Sequence, residues 1–231
     1  MRQKGILTGN QLKLLALIAM TCDHVGKYLL PYERWLQIFG RIAYPIFAYM
    51  IAEGCTYTKD RKRYVGLLAL SAEVCQAVYL FVMHSLYQCI MVTFTLSVLQ
   101  IYVLDYAKKQ QSAKGFLLAA LSVCGVYAIT EVMPTVVPGF YIDYSFWGVM
   151  LPVVIYFTYG KVRKLIVIAV VLILLAFDSN SMQWLSLAAV PLLALYNGER
   201  GKRKLKYLFY IYYPVHLVVI YLIKFIIEIF F

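Results

Sequence analysis

The chain is a succession of apolar runs separated by short polar breaks. A helix needs about 20 residues to cross a bilayer. At that length the runs fall at residues 12–30, 36–54, 64–83, 86–106, 115–133, 144–160, 163–177, 182–197 and 207–230. This predicts an all-α fold: one polytopic membrane domain over residues 1–231, with about nine transmembrane helices and no linker or soluble module. The breaks alternate in charge. Arg2 and Lys4 precede the first run, Lys59, Arg61, Lys62 and Arg63 follow the second, and Lys108, Lys109 and Lys114 follow the fourth. Lys161, Arg163 and Lys164 follow the sixth, and Arg200, Lys202, Arg203, Lys204 and Lys206 follow the eighth. The intervening breaks hold only Lys27 and Arg34. Positive loops stay in the cytoplasm, so the expected N-terminus is cytoplasmic and the C-terminus external. A wrong count would break the alternation. No internal repeat of the kind transporters carry is visible.

Composition excludes a soluble domain: 63% of the residues are hydrophobic and the mean hydropathy is +0.75. In a soluble protein the net charge of +11 would suggest nucleic acid. Here the cations sit in the breaks, where orientation in the membrane accounts for them. The first run lacks a small-residue cleavage site after it and is expected to be an uncleaved span. Cys22, Cys55, Cys75, Cys89 and Cys124 form no C-x-x-C pair and are expected to be buried thiols. With three histidines and no H-E-x-x-H, no metal is expected.

The first run, LKLLALIAMTCDHVGKYLL, carries Lys13, Asp23 and His24. Each costs about 2–3 kcal/mol near a bilayer centre, so this is not a plain anchor. Lys13 and His24 are about three turns and 16 Å apart on one stripe, which must face protein or a water-filled chamber. In the second run, GRIAYPIFAYMIAEG, Pro45 frees the Arg41 carbonyl. Arg41 either presents a cation to that chamber or snorkels to the headgroups. Glu53 and Tyr57 share a face one turn apart. The basic residues at 59–63 serve as an orientation signal or as a phosphate-binding rim. Glu73 and Asp105 either line a cavity or pair with loop lysines, and Thr93 and Thr95 are expected to hydrogen-bond within the bundle. Near the end, Asn197, Gly198 and Gly201 form a turn that can hold an anion, flanked by Arg200, Lys202 and Arg203. Pro214 frees the Tyr210 carbonyl, and His216 follows Tyr212 and Tyr213.

The segments LKLLALIAMTCDHVG, GRIAYPIFAYMIAEGCTYTKDRKRY, ALYNGERG and KYLFYIYYPVHL occur in this order. Together they resemble the TraX family, the F-pilin acetylation proteins of bacterial plasma membranes. Two weaker matches lie between them. QCIMVTFTL lacks an asparagine the family tends to have before a Phe-Thr pair, and DYSFWGVML stands where the family has an aspartate-tyrosine-glycine run. The resemblance implies a multi-pass acyltransferase of the bacterial plasma (inner) membrane. Its donor would be acetyl-CoA or a related acyl-CoA. The acceptor stays open: a peptide N-terminus, a glycan or a small molecule.

Acyl transfer needs a base for the acceptor proton, stabilisation of the oxyanion and a grip on the donor phosphates. His24 is the expected base, or an acyl-carrying nucleophile. Asp23 orients it or contacts Arg41 instead. His216, Arg41 or a hydroxyl of Tyr212 or Tyr213 stabilises the oxyanion. Lys13, Arg41, Glu53, Tyr57 and Tyr213 are expected to bind substrate, and Lys59, Arg61, Arg63, Arg200 and Arg203 to hold the CoA phosphates. Counted along the spans, His24 falls toward the outer side and His216 in the inner half, as in a tunnel. Two other classes use the same residues. A proton-coupled transporter would show inverted repeats. A non-catalytic assembly or immunity protein would not need His24 or His216.

Overall fold

The structure is a computed structural model that describes residues 5–179, 181–202 and 206–230. It is built almost wholly of helices. In chain order these are α1 (Gly9–Tyr28), α2 (Arg34–Gly40), α3 (Ala43–Tyr57) and α4 (Arg61–Phe81), then strand β1 (Tyr87–Gln88) and α5 (Ile90–Gln110). Next, α6 (Ala113–Tyr127) passes through a π-helical turn at Ala128–Val132 into α7 (Met133–Val136). After strand β2 (Tyr141–Ile142) come α8 (Ser145–Phe157), α9 (Lys161–Asp178), a 3₁₀ stretch (Ser181–Ala188), α10 (Ala189–Ala194) and α11 (Lys206–Phe230). Among the described residues, four helices are long and apolar enough to cross a membrane: Arg61–Phe81, Ile90–Gln110, Ala113–Val136 and Leu208–Phe230.

Two runs expected as single spans are broken. Residues 36–54 divide into α2 and α3, because Pro45 has no N–H to continue a helix from the Arg41 carbonyl. A helix that restarts at Ala43 places Pro45 in its first turn, where the missing donor costs nothing. Residues 182–197 divide at Ala189. There Pro191 cannot close an α-helical bond to Leu187, and the preceding turn is 3₁₀ instead. Pro214 does not interrupt α11.

The chain groups into two compact units. One comprises Met1–Met50 with Gly160–Phe231, the other Ile51–Tyr159. In the second unit, α5 is the central helix and packs against α4, α6 and α8. Its buried polar stripe is fully bonded. Thr93 donates to the Asp143 carbonyl, Ser97 to the Thr93 and Val149 carbonyls, and Gln100 to Ser122. β1 pairs in parallel with β2, Tyr87 opposite Tyr141, and Gln76 donates to the Tyr87 carbonyl from α4.

Tyr144 and Ser145, where β2 turns into α8, both have left-handed backbones, with φ of 61° and 50°. Such a backbone costs a side-chain-bearing residue about 1–2 kcal/mol. Ser145→Gly is therefore expected to stabilise the protein by about 0.5–1 kcal/mol, after allowance for glycine's greater unfolded freedom. Denaturation in detergent measures this, and unchanged or lower stability would contradict it.

In the first unit, the chain before α1 docks on the segment after α10. The amides of Ile6 and Leu7 donate to the Leu195 carbonyl, those of Gly9 and Asn10 to the carbonyls of Glu199 and Arg200, and that of Asn197 to the Leu7 carbonyl. Thr8 caps α1 and exchanges hydrogen bonds with Gln11. Gly198 and Gly201 supply the positive φ values, 79° and 93°, that this segment requires.

Candidate functional site

The site is built on α1, α2 and α11. Two glycines let α1 and α2 cross closely. A Cβ at Gly40 would collide with Asp23 Cβ, and one at Gly26 would lie 2.8 Å from Leu36 Cβ. Gln37 fastens the crossing by donating to the Gly26 carbonyl at 3.1 Å. This places Arg41, just past α2, against Asp23. The two form an ion pair with side chains 17% and 18% exposed. Arg41 Nε also donates to the Gln37 carbonyl at 3.3 Å, in the last turn of α2 where the helix dipole favours a cation.

α11 runs alongside α1 in the same direction. Going up the pair, Lys13 Nζ lies 5.1 Å from the centre of the Phe209 ring, Thr21 meets Tyr212, His24 meets His216, and Tyr28 meets Tyr221. The stripe from Lys13 to His24 thus faces protein along its length. Counting residues from span ends had put His24 and His216 in opposite halves of a tunnel. That expectation is corrected: His24 Nδ1 and His216 Nε2 are 2.8 Å apart. Side-chain packing sets the register of the two helices, and their ends do not coincide.

Hydrogen-bond polarity orders the cluster. His216 Nδ1 is 3.0 Å from the Tyr212 carbonyl, which can only accept, so Nδ1 carries the proton. In the neutral ring, Nε2 is then a lone pair, and His24 Nδ1 must donate to it. His24 therefore holds its own proton on Nδ1 and a lone pair on Nε2, which has no hydrogen-bond partner among the described residues. Thr21 Oγ1 donates to the Leu17 carbonyl at 2.8 Å, so it accepts from the Tyr212 hydroxyl, also at 2.8 Å. The Tyr212 proton is committed to Thr21 and is not directed at a reacting oxygen, which narrows the expected tyrosine donors to Tyr213. Tyr213 is buried with its ring edge against both imidazoles, 6.2 Å from His24 and 5.1 Å from His216 between centres. Tyr28 stacks over His24 at 6.0 Å. Asp23 contacts Arg41, as the second of its two expected roles has it. Successive helical residues point about 100° apart, so the partner of His24 comes from α11.

Glu53, Tyr57, Lys59, Arg61 and Arg63 belong to the second unit, where Tyr57 and Lys59 are exposed. Arg61 pairs with Asp105 at 2.8 Å and lies 4.7 Å from the Tyr102 ring centre, and Lys109 joins the same carboxylate at 3.1 Å. Asp105 is thus a pairing residue. In the turn expected to hold an anion, the Glu199 and Arg200 carbonyls accept from the amides that open α1. The Arg200 side chain is exposed, and Arg203 lies outside the described residues. Thr21, Gly26 and Gly40 were not singled out from sequence. Thr21 sits one turn before His24 on the same stripe, which was the available signal. Nothing in the chain pairs Gly40 with Asp23 before the helices cross. Among the described residues, no three His, Cys, Asp or Glu side chains group as a metal site.

Comparison with known proteins follows the same residues. The family model described as TraX protein matches residues 8–224. The "Probable fimbrial assembly protein FimC, serogroup H1" of Dichelobacter nodosus is 26% identical over 238 residues, 90% of this chain and 91% of that protein. An uncharacterised protein of Rickettsia prowazekii (strain Madrid E) is 44% identical over 54 residues, 23% of this chain and 21% of that protein. No solved structure matches.

Proposed function

This chain belongs to the TraX family, and we propose that it is a multi-pass acyltransferase of the bacterial inner membrane. It moves an acetyl or related acyl group from cytoplasmic acyl-CoA to an amine or hydroxyl acceptor. The observation that carries this reading is the relay from the Tyr212 carbonyl through His216 to His24, which leaves a lone pair on His24 Nε2. That nitrogen takes the proton of the acceptor as its N or O attacks the thioester carbon. The new acyl bond forms, the C–S bond breaks, and Nε2 returns the proton to the leaving sulfur. While His24 is charged, its Nδ1–H remains bonded to His216 Nε2. A neutral imidazole therefore orients the base, and no carboxylate has to be buried beside it. Arg41, fixed by Asp23 and the end of α2, is the cation for the developing oxyanion.

The donor phosphates are assigned to the basic end of the second unit. Lys59 precedes α4, Arg61 and Arg63 stand in its first turn, and Lys108 and Lys109 stand in the last turn of α5. Asp105 pairs with Arg61 and Lys109, and Asp60 caps the Arg63 amide. Arg61→Ala and Arg63→Ala are each expected to weaken acetyl-CoA binding about twofold to fivefold, the scale of exposed ionic contacts. Binding should also fall with added salt. Isothermal titration of the purified protein measures both, and unchanged affinity in both variants would leave these cations a role in topology alone. The decisive experiment supplies labelled acetyl-CoA to the purified protein with a panel of amine and hydroxyl acceptors. Transfer of label supports the proposal. A second reading rests on the fimbrial assembly protein to which the chain is similar: a non-catalytic assembly factor. It predicts no transfer and an indifferent His24.

A further inference from the structure

The four helices of spanning length include α4, and α4 has two faces. Tyr64, Leu68, Ser71, Ala72, Cys75 and Tyr79 are buried. Gly66, Leu70, Glu73, Ala77 and Leu80 are exposed. Gly66, Leu70, Glu73, Ala77 and Leu80 step by four, three, four and three, with Val74 also exposed beside them, a spacing that suits a seam against another helix. A Cβ added at Gly66 would meet no atom within 4 Å. Small residues at such a seam allow backbones to approach, and a polar side chain between them ties helices together in a bilayer.

Glu73 lies about 18 Å along the axis from Arg61 and about 12 Å from Phe81, well inside the span. No ion pair or hydrogen bond involves it among the described residues. A carboxylate facing lipid at that depth costs about 2.5–3.5 kcal/mol on insertion scales, so the face is built to be covered. A second copy of this chain brings no cation to the seam, since two Glu73 carboxylates would meet there and one would have to take up a proton. Nor do the described span lysines supply a cation, because Lys13 lies on Phe209 and Lys224 pairs with Glu228.

We infer that this face of α4 docks a transmembrane helix of a different membrane protein, one carrying a lysine or arginine at the depth of Glu73. The inference is independent of the chemistry at His24.

The test uses the full chain in its native membrane, with p-benzoylphenylalanine at Leu70 or Ala77 and, for reference, at the exposed Phe116 of α6. Both α4 positions should give one adduct, with a protein that has a basic residue within a span. Its yield should fall about threefold to twentyfold in Glu73→Gln, the range of interhelical polar contacts. It should fall likewise in Gly66→Leu, whose added Cβ meets no atom within 4 Å and whose unchanged unfolding midpoint in detergent checks that the fold is intact. Exchanging the two charges between partners should restore it. If Glu73→Gln does not accumulate, Gly66→Leu decides alone. An adduct with a second copy, a partner span without a basic residue, yields no higher than at Phe116, or yields unmoved by Gly66→Leu would each overturn the inference.

Discussion

His24→Ala is expected to lower the proposed acyl transfer by about a hundredfold to ten-thousandfold, the usual worth of a general base, and to leave acetyl-CoA affinity unchanged. The two readouts separate because the proposed donor contacts belong to residues 59–63, not to α1. His216→Ala should lose most of the same factor, since without Nε2 as acceptor nothing fixes the proton on His24 Nδ1. Combining the two substitutions should cost little more than either alone, as for residues that act as one unit. If His24 instead carries the acyl group, label from acetyl-CoA stays on the protein without acceptor, and His24→Ala abolishes it. Transfer at the normal rate in His24→Ala would end the proposal.

Asp23→Ala is expected to destabilise the protein by about 3 kcal/mol, because it strands the Arg41 cation in a part-buried place. Adding Arg41→Met should recover most of the loss, since an apolar pair often replaces an ion pair without penalty. A double-mutant cycle in detergent unfolding should therefore report coupling of about 2–3 kcal/mol between positions 23 and 41 and less than about 0.5 kcal/mol between 23 and 216. Strong coupling of Asp23 to His216 instead would make Asp23 part of the imidazole relay and refute the arrangement described above.

Much of this was legible in the chain, for identifiable reasons. Burying Lys13, Asp23 and His24 in an apolar run is costly enough to mark the run from composition alone, and a 3.6-residue period puts Lys13 and His24 on one stripe. The pairing of Asp23 with Arg41 stood as one of two options, because helix geometry turns adjacent side chains apart. What sequence could not supply was the register between α1 and α11, which depends on side chains 192 residues apart meeting. Nor could it supply the direction of each hydrogen bond, which needs distances. The ALYNGERG turn looked like an anion holder because glycines and arginines suit that role. Its carbonyls also receive the start of α1, and only the fold could reveal that. The breaks at Gly40 and Ala189 follow from Pro45 and Pro191, yet hydropathy averaged over a span conceals them.

The union of α1 with α11 has a consequence for biogenesis. A ribosome adds about 5–20 residues per second, so His24 emerges about 10–40 s before the residue that will bond it. Through that interval the nascent chain must keep Lys13 and His24 in or beside the bilayer without their final neighbours, while the Asp23 charge is neutralised early by the nearby Arg41. A membrane insertase that shelters polar helices would have its longest task here. Chains stalled before Tyr212 should be prime clients of membrane proteases.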